Sequence, residues 1–252
     1  MAEGTRRALV TGGSRGIGRA VVERLARDGA SVVAAARTPA SLEAVASAAA
    51  EHGWDVRTAT CDVTVQEAVA RLVAHQGPFD VAVANAGVSI AAPLARTSAA
   101  DLEQQWRVNT VGVFTVLKTT LPAMRERGWG RVVVVASTAG VTGARYTSAY
   151  TASKHGAVGL VRAAAAEVAG SGVTVNAVCP TYVDTEMTRR SLERIAQRTG
   201  RSLEEARTAL LGRIPLGRFV TVDEVAAAVA YLASDVAAPI NGHTLILDGG
   251  GS

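Results

Sequence analysis

Seven short runs of β-branched and other apolar residues recur along the chain, each set off from the next by a longer stretch rich in Ala, Leu, Arg and Glu. That alternation is the sequence form of repeated strand, helix, strand units, which feed a parallel sheet. The runs at 8–11, 31–36, 55–60, 79–84, 131–137, 174–179 and 243–247 are predicted strands, and their near-continuous apolar character predicts burial on both faces. Helical patterns fill 17–28, 39–51, 65–75, 99–127, 150–169 and 222–234. Thr64 with Glu67, and Thr221 with Glu224, have the spacing of a capping box, and Thr38 precedes a first-turn Pro39. No internal repeat or Pro-rich linker breaks the series, so one domain over 1–252 is expected. An irregular insertion at 182–218, with its own helical stretch at 192–212, reads as a substrate lid.

Composition narrows the functional classes. Apolar residues make up 48% and charged residues 19%, which excludes disorder for the bulk of the chain. The densest apolar runs are strand-sized, well short of the roughly 20 residues that span a bilayer. No signal-type apolar region follows the charged residues at 1–7, because a glycine-rich turn comes at once. Cys61 and Cys179 sit alone in apolar runs, so buried free thiols in a reducing compartment, the cytoplasm, are expected. The net charge of +4 is spread without blocks, which argues against nucleic acid and leaves anionic small molecules as a fit. His52, His75, His155 and His243 lack metal-ligand spacing, so no catalytic metal is expected.

The first predicted strand ends in Thr11-Gly12-Gly13-Ser14-Arg15-Gly16-Ile17-Gly18, and a helix follows immediately. Glycines at 12, 16 and 18 permit a tight turn and close approach of backbone to a pyrophosphate, whose charge would rest on the helix N-terminus. The second strand ends Ala34-Ala35-Ala36-Arg37, without the acid that binds the ribose hydroxyls in NAD sites. Arg37 and Arg15 can instead hold a 2′-phosphate, so NADPH/NADP+ is expected over NADH/NAD+. Asp62 follows the third strand and can accept from an adenine amino group. Asn85-Ala86-Gly87 follows the fourth, Asn85 holding neighbouring strands in register and Gly87 admitting the cofactor.

Ser137 ends the fifth strand, and Tyr150-Thr151-Ala152-Ser153-Lys154 opens a helix. Residues four apart share a helical face, which sets the Lys154 ammonium near the Tyr150 phenol. A phenol with a pKa of about 10 is a poor proton-transfer group at neutral pH, so Lys154 is expected to depress it. Ser137 is placed to polarise a substrate carbonyl. Asn109, in the long helix, is expected to hold a water that links Lys154 to solvent.

With these motifs the chain resembles a short-chain dehydrogenase/reductase of the compact type, along essentially its whole length. The family pattern Thr-Gly-x-x-x-Gly-x-Gly is met by Thr11 to Gly18, Asn-Ala-Gly by Asn85 to Gly87, and the Asn, Ser, Tyr, Lys tetrad by Asn109, Ser137, Tyr150 and Lys154. The resemblance implies a doubly wound, parallel seven-stranded α/β sheet, Tyr150 as acid/base and Lys154 on the nicotinamide ribose. It further implies Asn176 and Pro180 as supports and Val183 and Thr185 near the nicotinamide amide and diphosphate. Ser14, Ile17, Val63, Ala86 and Pro180 complete the expected cofactor contacts. Two positions depart from the family pattern: Ala84 stands where a first asparagine is usual, and Thr181 replaces the glycine after Pro180.

Within the family the resemblance is nearest to β-ketoacyl and polyketide ketoreductases, through the stretches that begin at Tyr150, Val175 and Ile214. Carrier-protein reductases of this kind present paired arginines. Arg125 and Arg127 match one side, but Ser171 stands at the other, so a free ketone, a hydroxy compound or an acyl thioester remains open as substrate. The expected pocket walls, 88–94, 139–145 and 182–216, are mostly small or apolar, with Arg145 the only charge in the first two. The Ala-rich helix near 149–169 suggests a covering subunit, in keeping with the family's usual homotetramer. The expected reaction is reduction of a ketone or 3-oxoacyl group. The alternatives are an NAD-dependent alcohol or 3-hydroxyacyl dehydrogenase and a silent NADP(H)-binding protein.

Overall fold

The computed structural model describes residues 5–212 and 214–251. Seven parallel strands form one sheet: β1 (Arg7–Thr11), β2 (Ser31–Ala36), β3 (Val56–Thr60), β4 (Val81–Ala84), β5 (Gly130–Val135), β6 (Val173–Pro180) and β7 (Thr244–Leu247), in the spatial order β3-β2-β1-β4-β5-β6-β7. The chain runs outward from β1 through β2 to β3, then crosses back to lay β4 on the other side of β1. The order therefore reverses between β1 and β4, and a crevice opens at their C-terminal ends.

Strand residues alternate between two cores. Leu9, Val33, Ala35, Val132 and Val134 pack with residues of α3 (Gln66–Gln76), α5 (Gly112–Arg127) and α6 (Ser148–Val168) on one face. Val10, Val32, Ala34, Val133 and Val135 pack with α1 (Gly16–Arg27), α2 (Ala40–His52) and α9 (Val222–Leu232) on the other. Both faces are covered, which is why the strands read as continuous apolar runs rather than as alternating ones. Both cysteines are buried and unpaired.

Three helical expectations are corrected. The predicted helix at 99–127 is two helices, α4 (Ala99–Trp106) and α5, joined by a π turn at Arg107–Val111 that carries Asn109. The stretch at 192–212 is also divided, into α7 (Glu186–Thr199) and α8 (Leu203–Leu211). Gly200 ends α7 in the left-handed region at φ +68°, and Ser202 with Glu205 opens α8 as a capping box. Thr64 caps nothing: Asp62 Oδ1 accepts from both its backbone N–H (2.9 Å) and its hydroxyl (2.8 Å), and α3 starts after Val65 without a side-chain cap. Asp62 thus competes with the helix for Thr64. The Thr221 and Glu224 box is present, while Thr38 offers its carbonyl, not its hydroxyl, to the Ser41 side chain.

Of the segment 182–218, Arg213 lies outside the described residues. Leu192, Ala206, Leu210 and Ile214 of the rest form a small core with Phe219, which follows the segment. A bridge between Val183 and Val220 closes its two ends on each other, and both residues are buried in the core on the α1, α2 and α9 face.

Candidate active site

At the crevice the β1–α1 turn is drawn against β4. Gly12 has φ +65°, and a Cβ there would lie 2.9 Å from Ala86 Cα. On Gly18 it would lie 2.1 Å from the Gly12 carbonyl oxygen, so neither position admits a side chain. Asn85 Nδ2 donates to the carbonyls of Thr11 and Gly12, both at 3.1 Å, tying the turn to the neighbouring strand. Arg15, which precedes α1, contributes no side-chain cap, and the first turn of the helix holds no acid. The exposed backbone N–H groups thus meet no competing side chain, and Ser14 beside them is partnerless among the described residues. That donor set fits a dinucleotide phosphate.

The rest of the expected cofactor surface rings this turn. Thr185, which caps α7 by accepting from Thr188 N–H, comes within 3.4 Å of the position a Gly16 Cβ would take. Pro180 and Val183 are buried at the end of β6 and just beyond it, and Ile17 packs at the margin of one core. Arg15 and Arg37 are both exposed, with no ion-pair partner among the described residues, and Ala36 leaves no acid beside them. A site for the extra phosphate of NADP(H) fits there better than a ribose diol site. Asp62 sits at the end of β3. The Val63 side chain, though, is buried against Gly112, where an added Cβ would lie 2.9 Å from it, so any contact it makes runs through its backbone.

Ser137 and the first turns of α6 form a second cluster. Ser137 Oγ accepts from Ala139 N–H at 3.2 Å and faces the Tyr150 phenol. Burial pushes that phenol up to about 12, against a smaller opposing pull from the Ser137 hydroxyl. Lys154 is buried too. Its Nζ donates to the Val135 carbonyl at 2.9 Å and lies 5.8 Å from the centre of the Tyr150 ring, and burial lowers its pKa to about 8. The expectation that Lys154 depresses the phenol is therefore corrected: desolvation acts on both groups and dominates both. At neutral pH the phenol carries its proton and the amine is mostly charged.

Asn109 is fully buried, and its amide is engaged by protein. Oδ1 accepts from Val88 N–H (2.9 Å), and Nδ2 donates to the Val88 carbonyl (2.9 Å) and to Ser153 Oγ (3.0 Å). These bonds give the side chain a bracing role between the segment after β4 and α6. Gly87 lies close beside it, and a Cβ there would lie 3.2 Å from Asn109 Oδ1 and 3.7 Å from Lys154 Nζ. One turn earlier, Gln105 is also fully buried, with its amide on Ile90. Sequence reasoning passed over it, although two amides four apart on one helix were the available signal. Cys179 is a second omission: the Ser137 backbone N–H faces its thiol, whose pKa burial raises.

The expected walls meet over the segment after β4. Arg198 of α7 donates to the Ala91 carbonyl at 3.1 Å, and Ala92 N–H donates to the Tyr146 carbonyl at 2.9 Å. Arg127 acts as a structural brace, donating to the Phe79 carbonyl (2.6 Å) and to Asp80 (3.2 Å). Asn176 is a support, as implied, linking Ile240 and His243. All four histidines are exposed.

A model of the short chain dehydrogenase family matches residues 6–196. A putative ketoacyl reductase of Streptomyces coelicolor is 39% identical over 253 residues, with 96% of this chain and 95% of that protein covered. A 3-oxoacyl-[acyl-carrier-protein] reductase of Mycobacterium tuberculosis is 38% identical, with 98% and 92% covered. Among solved structures, an actinorhodin polyketide ketoreductase with NADPH superposes with a TM-score of 0.92 at 38% identity, with 98% of this chain and 97% of that one covered. A levodione reductase also reaches 0.92, at 34% identity with 98% of each covered.

Proposed function

The chain belongs to the short chain dehydrogenase family, and on that premise we propose that it is an NADPH-dependent reductase that converts a ketone or 3-oxoacyl group to the secondary alcohol. The observation that carries this reading is the cluster at the crevice, where Ser137 faces the Tyr150 phenol and Lys154 Nζ lies 5.8 Å from the centre of its ring. A protonated acid beside an oxygen-orienting hydroxyl suits reduction, in which the substrate oxygen must gain a proton.

When bound, NADPH supplies the hydride to the carbonyl carbon. Ser137 orients the carbonyl oxygen, and Tyr150 donates its proton to that oxygen as negative charge develops there. The phenolate so formed lies near the Lys154 ammonium, and the lowered pKa of about 8 makes that ammonium a ready proton source. Asn109 acts indirectly, holding Val88 and Ser153 in place.

For the cofactor, Gly12, Ser14, Arg15, Gly16, Ile17 and Gly18 would take the diphosphate, and Arg15 with Arg37 the 2′-phosphate. Asp62 and the Val63 backbone would take the adenine, and Asn85, Ala86 and Gly87 would approach the ribose side. Pro180, Val183 and Thr185 would flank the nicotinamide. The similar polyketide ketoreductase structure is described with NADPH. The names of the curated relatives favour a 3-oxoacyl substrate, and the residues at 182–218 would serve as its lid within one domain spanning 1–252. The groove between α5 and α6, lined by Phe114, Leu117, Leu121 and Leu160, supports a homotetramer. Among the described residues no helix is long and apolar enough to cross a membrane; with two buried free thiols this supports a cytoplasmic protein.

The test is Tyr150→Phe. Turnover of a 3-oxoacyl thioester falls by on the order of a thousandfold while NADPH binding, read by nicotinamide fluorescence, stays at the wild-type value. Near-normal turnover in this variant overturns the assignment of Tyr150.

A further inference from the structure

The segment after β4 has no regular secondary structure, yet its backbone is gripped residue by alternate residue. Val88 gives both its N–H and its carbonyl to the Asn109 amide. Two residues on, Ile90 N–H donates to Gln105 Oε1 at 2.9 Å, and Gln105 Nε2 donates to the Ile90 carbonyl at 3.3 Å. Gln105 Nε2 also reaches the Asp101 carbonyl at 3.3 Å, so the polar ends of this fully buried side chain are all engaged. A buried amide costs about 1–3 kcal/mol when left unpaired, and an apolar side chain would fill the same helix face without that liability. The amide is explained by what it holds.

We propose that Gln105 is a positioning residue of the active site and that the segment it fixes with Asn109 is a short binding edge, which grips the substrate through Ser89. In an extended chain the peptide groups of alternate residues point to opposite sides. With Val88 and Ile90 turned to the helix, Ser89 turns its own N–H and carbonyl away from it. Ser89 is only half-buried and makes no hydrogen bond among the described residues, through backbone or hydroxyl. Gly87, next to the edge, lies against Lys154, which sets these unpaired groups beside the proposed proton-transfer cluster. Half-buried backbone groups that no protein group pairs are open to a ligand at the crevice.

The ligand chemistry follows. A single ketone oxygen is already served by Ser137 and Tyr150, so the edge suits a second polar group a few bonds away, such as the thioester carbonyl of a 3-oxoacyl substrate. This rests on the reductase reading above and names the part of the substrate that the reading leaves unassigned.

The experiment uses the full chain with acetoacetyl-CoA and, as a ketone without a second polar group, cyclohexanone. Calorimetry on the NADP+-loaded protein measures binding of acetoacetyl-CoA, and steady-state assays with NADPH measure turnover of both ketones. Gln105→Met removes the grip at nearly constant volume. Ser89→Pro removes the edge N–H and hydroxyl and biases Val88 toward extended backbone. Each variant is expected to weaken acetoacetyl-CoA binding and raise its KM by about tenfold, with kcat within about threefold, NADPH affinity unchanged and the KM of cyclohexanone unmoved. Wild-type affinity for acetoacetyl-CoA in both variants overturns the edge, and so does an equal loss for both ketones, the mark of a purely structural role. If Gln105→Met does not fold, Ser89→Pro decides alone. A wild-type protein that binds acetoacetyl-CoA but does not reduce it refutes the reductase reading while leaving the edge to the same binding comparison; one that binds none overturns the edge.

Discussion

The two sides of the crevice are built differently. On the nucleotide side, the glycine turn hangs between two fully paired central strands and is tied to the second by Asn85. On the opposite side, the residues at 182–218 form a small core with Phe219 and meet the body mainly through side chains: Val183 in a main core, Thr185 beside Gly16, Leu216 beside Gly249 and Arg198 on the Ala91 carbonyl. The first region inherits its geometry from the sheet. The second lies outside the sheet, and its two short helices and the core between them set its shape. That difference explains why dinucleotide binding is written in a compact motif, whereas the residues that face a substrate are spread over segments outside the sheet.

The contrast is tested most severely at its rigid end. Asn85→Ala leaves the Thr11 and Gly12 carbonyls without their donor; NADPH affinity is expected to drop by about a hundredfold and stability by about 2 kcal/mol, read by fluorescence titration and chemical denaturation. A variant with wild-type affinity would show that the turn does not depend on β4.

Where the two sides meet, pH separates activity from stability. Lys154 has its pKa lowered to about 8 from 10.5. Between those values the unfolded chain binds the extra proton, so stability rises with pH across that window, and below about 8 the full penalty of burying the charge is present. Reductive turnover moves the other way, falling by about tenfold per pH unit above the Lys154 pKa as the ammonium is lost. Rates and melting temperatures that change in parallel over this range would remove Lys154 from the proton path.

A smaller effect is expected at the nucleotide rim. Arg37→Asp should shift the ratio of NADPH to NADH affinity by about tenfold toward NADH, and an unchanged ratio would detach Arg37 from the 2′-phosphate. The smallest belongs to the side outside the sheet. Arg198→Ala removes one exposed contact, so the KM for ketone should move by less than about threefold, with NADPH affinity and melting temperature unchanged. A large fall in melting temperature would mean that this side is anchored as firmly as the other.

The seven strands were legible because burial on both faces leaves a continuous apolar signature, and errors fell at their ends. The run at 131–137 continues through Ala136 and Ser137 in sequence, but the strand stops at Val135 because Ser137 already caps the next turn. The π turn within 99–127 carries no proline or glycine punctuation and could not be read. The break in the 192–212 stretch was readable, since Gly200 and the Ser202, Glu205 pair are ordinary stop and start signals. At the site, the spacing of Tyr150 and Lys154 was enough to place them together. The direction of the Tyr150 shift was not legible, because desolvation belongs to the folded surroundings and to no single residue. Gln105 was passed over for the same reason: an amide on a helix looks solvated until its neighbours are known.

The spatial order of the strands also bears on how the chain reaches this state. β1 is made first yet lies between β2 and β4, and its partner Ala84 arrives some seventy residues later. A nascent chain can therefore assemble β1, β2 and their helix early, but it holds one flank of β1 exposed until β4 has been synthesised. The glycine turn cannot acquire its Asn85 tie before then. Nucleotide binding thus becomes possible only after this long-range pairing, and a ligand that recognises the finished turn would report the late step of folding rather than the early one.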